Sequence, residues 1–275
     1  MMLALIFLFR LFHLSIAAAE LSFNEPLITS CPNKVFNEQL NAINVFEIDV
    51  DQDIVKDIRA EYERDVRPFL STGKSTENFC LVTPGNPNTT TWDDVDGTAT
   101  SDIKWYSVNN RETYDKYLHH VDRLRLKEIV ARRWIDSDAD DITVYTMFLI
   151  VRSHTEKHTF HVDWSDRIRT QVLNVLIPLN DFQLHLAYED IDGDVRQYEY
   201  KLGKAIGFGG GFVHSTEVGD SEPEDVLLSV YLGSPDPKIW QYARNNIDDE
   251  LEHYMSPLKG FIHNENYPDE DTMCQ

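Results

Sequence analysis

The chain has 275 residues, 42% of them apolar, which is enough to bury a sizeable core in one large domain or two small ones. Asp and Glu total 47 against 25 Lys and Arg, giving a formal charge of −22 at pH 7. Such a surface repels phosphate backbones, which excludes nucleic-acid binding as a reading, and it attracts cations and basic partners besides keeping the chain soluble.

Residues 1–19 open with Leu3, Leu5, Ile6, Phe7, Leu8 and Phe9 and close on Ala17-Ala18-Ala19, the pattern of a secretory signal peptide with small residues at its cleavage site. Arg10 and His13 interrupt the run, and the uncharged stretches beside them fall far short of the roughly 20 residues a spanning helix needs, so no stable membrane span is expected. The start lacks the basic residues of a typical signal, which leaves a membrane-anchored form as the alternative. A secreted glycoprotein fits two further features. Asn88-Thr89-Thr90 is a glycosylation acceptor in the turn-rich stretch Pro84-Gly85-Asn86-Pro87-Asn88. Three cysteines allow one internal disulfide, and Cys31 with Cys80 is the preferred pair because Cys274 lies in a polar tail.

Residues 20–141 read as an N-terminal helical and extended support region. Up to residue 50, short apolar pieces alternate with turn residues. From Asp51 to Leu70, Ile54, Ile58 and Tyr62 fall at helical spacing, predicting an amphipathic helix that Pro68 ends. A polar loop over 71–103 follows. Tyr114, Tyr117, Leu118, Val121 and Leu124 predict a second helix from Arg111 to Trp134, with its exit at Asp136-Ser137-Asp138.

At residue 142 the period changes. Residues 142–151 are rich in β-branched and aromatic side chains and read as a strand. Further strands are expected from Thr159 to Trp164, Thr170 to Leu179, Leu184 to Tyr188, Val195 to Leu202, Ala205 to Phe208, Phe212 to Thr216 and Val226 to Leu232. Eight strands separated by turns over 142–235 predict a mostly β fold with flanking helices, a jelly roll or double-stranded β-helix of the cupin kind. Residues 236–275 supply a final helix, apolar at Ile239, Trp240, Ala243, Ile247, Leu251 and Tyr254, and a tail.

Chemistry concentrates in His161-Val162-Asp163 and in Gly209-Gly210-Gly211-Phe212-Val213-His214. Two residues apart on a strand, His161 and Asp163 point the same way, and His214 from a neighbouring strand completes two imidazoles and a carboxylate. On one face of an octahedral ion these leave three positions open, an arrangement that suits non-haem Fe(II). The glycines before His214 let the backbone turn tightly.

With these residues in place, segment 142–235 resembles the 2-oxoglutarate- and Fe(II)-dependent dioxygenase superfamily, in His-x-Asp, a long gap and a distal His, and in Gly203 to Phe208 matching a G-x-x-x-x-F strand. Arg167-Ile168-Arg169-Thr170-Gln171-Val172-Leu173, Ile177-Pro178 and Tyr231-Leu232-Gly233-Ser234-Pro235 look most like the aspartyl/asparaginyl β-hydroxylase branch. The resemblance implies His161, Asp163 and His214 as iron ligands. It also implies oxidative decarboxylation of 2-oxoglutarate to succinate coupled to hydroxylation of a peptide, a protein side chain or a small metabolite in the secretory pathway. One departure stands out: where most members carry a basic residue for the far carboxylate of the oxoacid, this chain has Asp225, which would repel it. The resemblance offers Arg169 instead, since guanidinium grips carboxylate with two donors.

Plainer readings compete at several of these positions. His154, His158 and His161 would form a zinc face on a helix, but their β-branched and aromatic neighbours favour a strand. Asp190-Ile191-Asp192-Gly193-Asp194 looks like the start of a calcium loop yet has Lys201 at the twelfth position, favouring a hairpin turn. His119-His120 is read as a partly exposed pair without function. Arg169 beside Asp166 has an ion pair as its plain alternative. The rival to the enzyme is a non-catalytic metal- or ligand-binding jelly roll; a carbohydrate-binding module is a third possibility.

Overall fold

A computed structural model describes residues 45–82, 101–132, 139–181, 183–190, 192–248 and 255. The leader, the glycosylation acceptor, Cys31, Cys274, the predicted exit at 136–138, Leu251 and Tyr254 lie outside the described residues.

In chain order the elements are β1 (Val45–Asp49), α1 (Gln52–Asp65), β2 (Phe79–Val82), β3 (Ser101–Val108), α2 (Arg111–Arg123), α3 (Leu126–Val130), β4 (Thr143–Thr155), β5 (Val172–Pro178), β6 (Leu186–Glu189), β7 (Val195–Tyr198), β8 (Lys204–Gly209), β9 (His214–Thr216), β10 (Gly219–Gly233) and α4 (Pro237–Asp248). Among the described residues they form two antiparallel sheets, one of seven strands in the order β1-β8-β5-β10-β4-β3-β2 and one of three in the order β7-β6-β9. The fold is the expected double-stranded β-helix, with helices on the outside of the large sheet.

The packing follows from alternation along the strands. Val144, Met147, Leu149 and Val151 of β4, with Val226, Leu228, Val230 and Leu232 of β10, face the helices; there they meet Ile54, Val55, Ile58 and Tyr62 of α1 and Tyr114, Tyr117 and Val121 of α2. Each such aliphatic side chain contributes roughly 1.5–3 kcal/mol when fully buried. The opposite face of the large sheet packs Leu176, Ile206, Phe208 and Leu227 onto Leu186, Tyr188 and Tyr198 of the small sheet, which forms the barrel interior. At one end of the barrel Trp240, Ala243 and Ile247 of α4 cover Tyr145, Trp164 and Tyr231, so the final helix caps the β-core as expected.

Several expectations need correction. The N-terminal region is not merely a support, since β1, β2 and β3 extend the same sheet as the core strands. The polar loop over 71–103 includes β2, paired with β3. Pro68 does not terminate α1; the helix ends at Asp65, capped at its start by the Asp51 carboxylate, and Pro68 lies in a following 3-10 turn over Arg67–Thr72. The helix predicted over 111–134 is broken at Arg125, which is left-handed with φ 56°. The break lets both Leu124 and Leu126 be buried, as residues two apart in one continuous helix face different sides. Finally, Thr159 to Trp164 is not a regular strand: a single antiparallel bridge at His161 is all that remains, followed by a bend through Asp163 and Trp164.

Candidate metal centre

His161 and His214 face each other across that bridge. The amide of each donates to the carbonyl of the other, both at 3.0 Å, so two residues far apart in sequence become directly opposed. Their rings lie on the same side with centroids 4.5 Å apart. Asp163 reaches them through the bend, not through the strand alternation expected. Its Oδ1 lies 3.3 Å from His161 Nε2, and its Oδ2 lies 3.7 Å from His214 Nε2. Ligand atoms from all three residues fall within 4.8 Å of one another.

The hydrogen bonds on the far side of each ring decide what the near side presents. His161 Nδ1 meets the Thr159 carbonyl at 2.8 Å and His214 Nδ1 meets the Phe212 carbonyl at 3.0 Å. A carbonyl only accepts, so each Nδ1 carries the proton. In the neutral rings both Nε2 atoms then turn lone pairs toward a carboxylate. Burial pushes His214 down to about 4, with His161 acting the same way and Asp163 opposing, so this ring is neutral near pH 7. Burial would raise Asp163, but His214, His161 and Asn174 outweigh it and hold its carboxyl below the usual carboxylate range. When both rings are neutral, two lone pairs and a carboxylate converge on one point, an arrangement that a cation satisfies.

Apolar rings and a buried amide flank the cluster. Phe208 and Phe212 lie against the His214 ring at 4.7 and 5.9 Å between centroids. Asn174 on β5, 2% exposed, donates through Nδ2 to Asp163 Oδ2 and accepts Trp164 Nε1–H at 2.8 Å. The sequence reading missed Asn174; a polar residue within the buried run Val172–Pro178 was the available signal.

The structure also changes the meaning of Asp225. It is fully buried and lies directly across from Arg152 on β4, whose Nε is 3.7 Å from its Oδ2. Asp225 accepts the amides of Gln183 and Leu184 at 3.1 and 3.0 Å, and Arg152 donates to the Leu184 carbonyl at 2.6 Å. The carboxylate is therefore neutralised and used, not presented bare to the interior. Arg152 was also missed; it is 3% exposed, with Tyr200 5.8 Å from its guanidinium. Arg169, the expected oxoacid partner, sits at the surface, its side chain 43% exposed and paired with Asp166 at 2.9 Å.

The other histidines disperse. His154 contacts Asp220 at 2.8 Å and His158 contacts the Thr216 carbonyl at 3.1 Å, and no helix gathers them with His161. Asp190 accepts from the Asp192 and Asp194 amides and from Arg196, closing the hairpin between β6 and β7. His119 is exposed, whereas His120 is buried against Glu61 at 3.2 Å. Cys80 is disulfide-bonded; both cysteines able to pair with it lie outside the described residues.

No protein-family model and no curated protein matches the sequence. Among solved structures, the chain is similar to AviO1 from Streptomyces viridochromogenes Tue57, with TM-score 0.52 and 15% identity over 72% of this chain and 93% of that one. A prolyl-4-hydroxylase from Pseudomonas putida gives TM-score 0.46 and 15% identity over 73% and 98% of the two chains. HygX from Streptomyces hygroscopicus, solved with nickel, 2-oxoglutarate and hygromycin B bound, gives 0.46 and 12% over 71% and 85%. The likeness to AviO1 establishes a shared fold.

Proposed function

We propose that the chain is an Fe(II)- and 2-oxoglutarate-dependent dioxygenase that hydroxylates a peptide, a protein side chain or a small metabolite. The observation that carries this reading is the convergence of His161 Nε2, His214 Nε2 and the Asp163 carboxylate, with both imidazole tautomers fixed from behind by backbone carbonyls. Iron held there, with 2-oxoglutarate and O2, supplies an oxidation in which a C–H bond becomes C–OH while the oxoacid becomes succinate and CO2. His161, Asp163 and His214 would hold the ion and leave part of its coordination free for the oxoacid and oxygen. Phe208 and Phe212 cover the His214 flank, while the His161 side chain keeps 20% of its surface exposed, which leaves an approach from solvent.

The far carboxylate of the oxoacid requires a positive partner, and Arg169 and Arg152 are the two candidates. Arg169 is reachable from solvent, whereas Arg152 is the cation buried in the barrel. A secretory-pathway location is supported by the disulfide at Cys80 and by the signal-like leader.

One observation favours a second reading, a metal- or ligand-binding jelly roll without oxygenase activity: Arg152 is already engaged by Asp225 and Leu184, and Arg169 by Asp166. The two separate on succinate formation by the chain lacking residues 1–19, purified anaerobically and supplied with Fe(II), 2-oxoglutarate and O2. Slow succinate release without a prime substrate, abolished in a His161→Ala/Asp163→Ala variant, supports the dioxygenase. Iron binding without any succinate supports the rival.

A further inference from the structure

Resting on the metal-site reading, we infer that Asn174 is a positioning residue that allots the two oxygens of Asp163, keeping Oδ2 for itself and leaving Oδ1 as the single metal ligand, and that Trp164 sets the orientation in which Asn174 does so.

An amide side chain presents a donor on one end and an acceptor on the other, and its neighbours decide which end faces where. The indole N–H of Trp164 is a donor and nothing else. It points at Asn174 from 2.8 Å, so the amide carbonyl must face Trp164 and the amide NH2 must face Asp163. Trp164 cannot turn away to release this constraint: it is 1% exposed, with Tyr231 and Tyr145 at ring distances of 4.9 and 6.1 Å. It is also the residue next to the ligand, so the bend that carries Asp163 to the histidines carries the indole to Asn174. β5 holds the other end, because Asn174 lies within its ladder with Tyr231 and Phe208 as cross-strand neighbours.

The relay therefore runs one way, from Trp164 through Asn174 to Asp163 Oδ2. A carboxylate with one oxygen committed to a neutral donor keeps its charge and offers the other oxygen to the ion. If both oxygens chelated, Asp163 would take two coordination positions and leave one fewer for oxoacid and oxygen. A lysine or arginine at position 174 would compete with the ion for the same charge; an apolar residue would remove the partner of the buried indole N–H and of Oδ2.

Co(II) provides the test, because its affinity and its visible absorption report the ligand set directly. Wild type, Asn174→Ala, Trp164→Phe and the double variant are titrated with Co(II), and urea unfolding of the metal-free proteins reports folding alongside. Asn174→Ala is expected to weaken Co(II) about 10- to 100-fold, the usual loss when a metal ligand's outer partner is removed, and to shift the absorption as Asp163 turns both oxygens to the ion. Trp164→Phe should shift it in the same direction and by less. The double variant should match Asn174→Ala alone, because Trp164 acts through Asn174. Wild-type affinity and spectrum in both single variants, or additive losses in the double, overturns the relay. Failure of the wild-type chain to bind Co(II) overturns the metal reading itself, and the relay with it. If Asn174→Ala does not fold, an unchanged spectrum in Trp164→Phe overturns the inference.

Discussion

Replacing Arg152 by Met keeps most of the side-chain volume and removes the guanidinium, leaving Asp225 in the barrel interior with only the Gln183 and Leu184 amides as donors. Both partners are almost completely buried, at 2% and 0% side-chain exposure, so solvent screens neither charge. Stripping one member from a buried pair of this kind costs about 3–5 kcal/mol, because the survivor remains charged and desolvated. The lost donor to the Leu184 carbonyl adds about 1 kcal/mol. Converting Asp225 to Asn in the same chain removes the stranded charge while keeping an acceptor for one amide, so the double variant should recover roughly half of the loss. Urea unfolding followed by tryptophan fluorescence reads wild type, Arg152→Met, Asp225→Asn and the double variant, and a loss of 3–5 kcal/mol corresponds to a melting temperature lower by about 10 °C in a chain of this size. An Arg152→Met loss below about 1 kcal/mol, or a double variant weaker than either single one, would refute the treatment of this pair as mutually neutralising.

Four other outcomes are expected. Arg152→Met and Arg169→Ala, compared by 2-oxoglutarate titration of the Co(II)-loaded protein, should separate the two candidates for the far carboxylate: the responsible residue weakens the oxoacid at least tenfold and Co(II) hardly at all, and equal insensitivity of both variants rejects both. Arg169→Ala alone should change stability by less than about 1 kcal/mol, since its pair with Asp166 is exposed; thermal melting checks it. In the metal-free protein, unfolded His214 takes up a proton as the pH falls through 6.5, whereas the folded ring stays neutral down to about 4. The unfolded state binds more protons in that window, so stability should fall by about 3 kcal/mol between pH 6.5 and 4, and a His214→Asn variant that keeps the same slope in urea midpoints would contradict the assignment. Gly210→Ala places a methyl 2.8 Å from the Arg169 Cα and 2.9 Å from its carbonyl oxygen, so the loop before His214 must shift, at a cost of about 1–3 kcal/mol and with weaker Co(II) binding by calorimetry.

Much of this architecture was legible in the amino acids because periodicity reports which faces are buried. The run at 142–151 is one side of the barrel and continues to Thr155, and the segments at 170–179 and 205–208 pair as core strands. Less was readable where partners are distant. β1 buries residues on both faces, and Phe79–Val82 sits inside a polar stretch, so neither shows a clean alternation that marks a sheet. The three candidate ligands were proposed from residue type and order, although what brings Asp163 inward is a bend after a one-residue bridge. Asp225 read as an obstacle because cross-strand register, which sets Arg152 opposite it, is invisible to local pattern. Asn174 and Trp164 stayed hidden for the same reason.

The bridge between His161 and His214 has an effect on motion as well as on placement. Among the described residues, the two amide–carbonyl bonds between His161 and His214 are the backbone–backbone link from this stretch to β9, so separating the imidazoles and exposing those amides are one event. An ion gripping both rings becomes a clasp on the entire excursion of chain from 162 to 213, and loading it should slow hydrogen–deuterium exchange at positions 161 and 214 far more than at the distant end of β10.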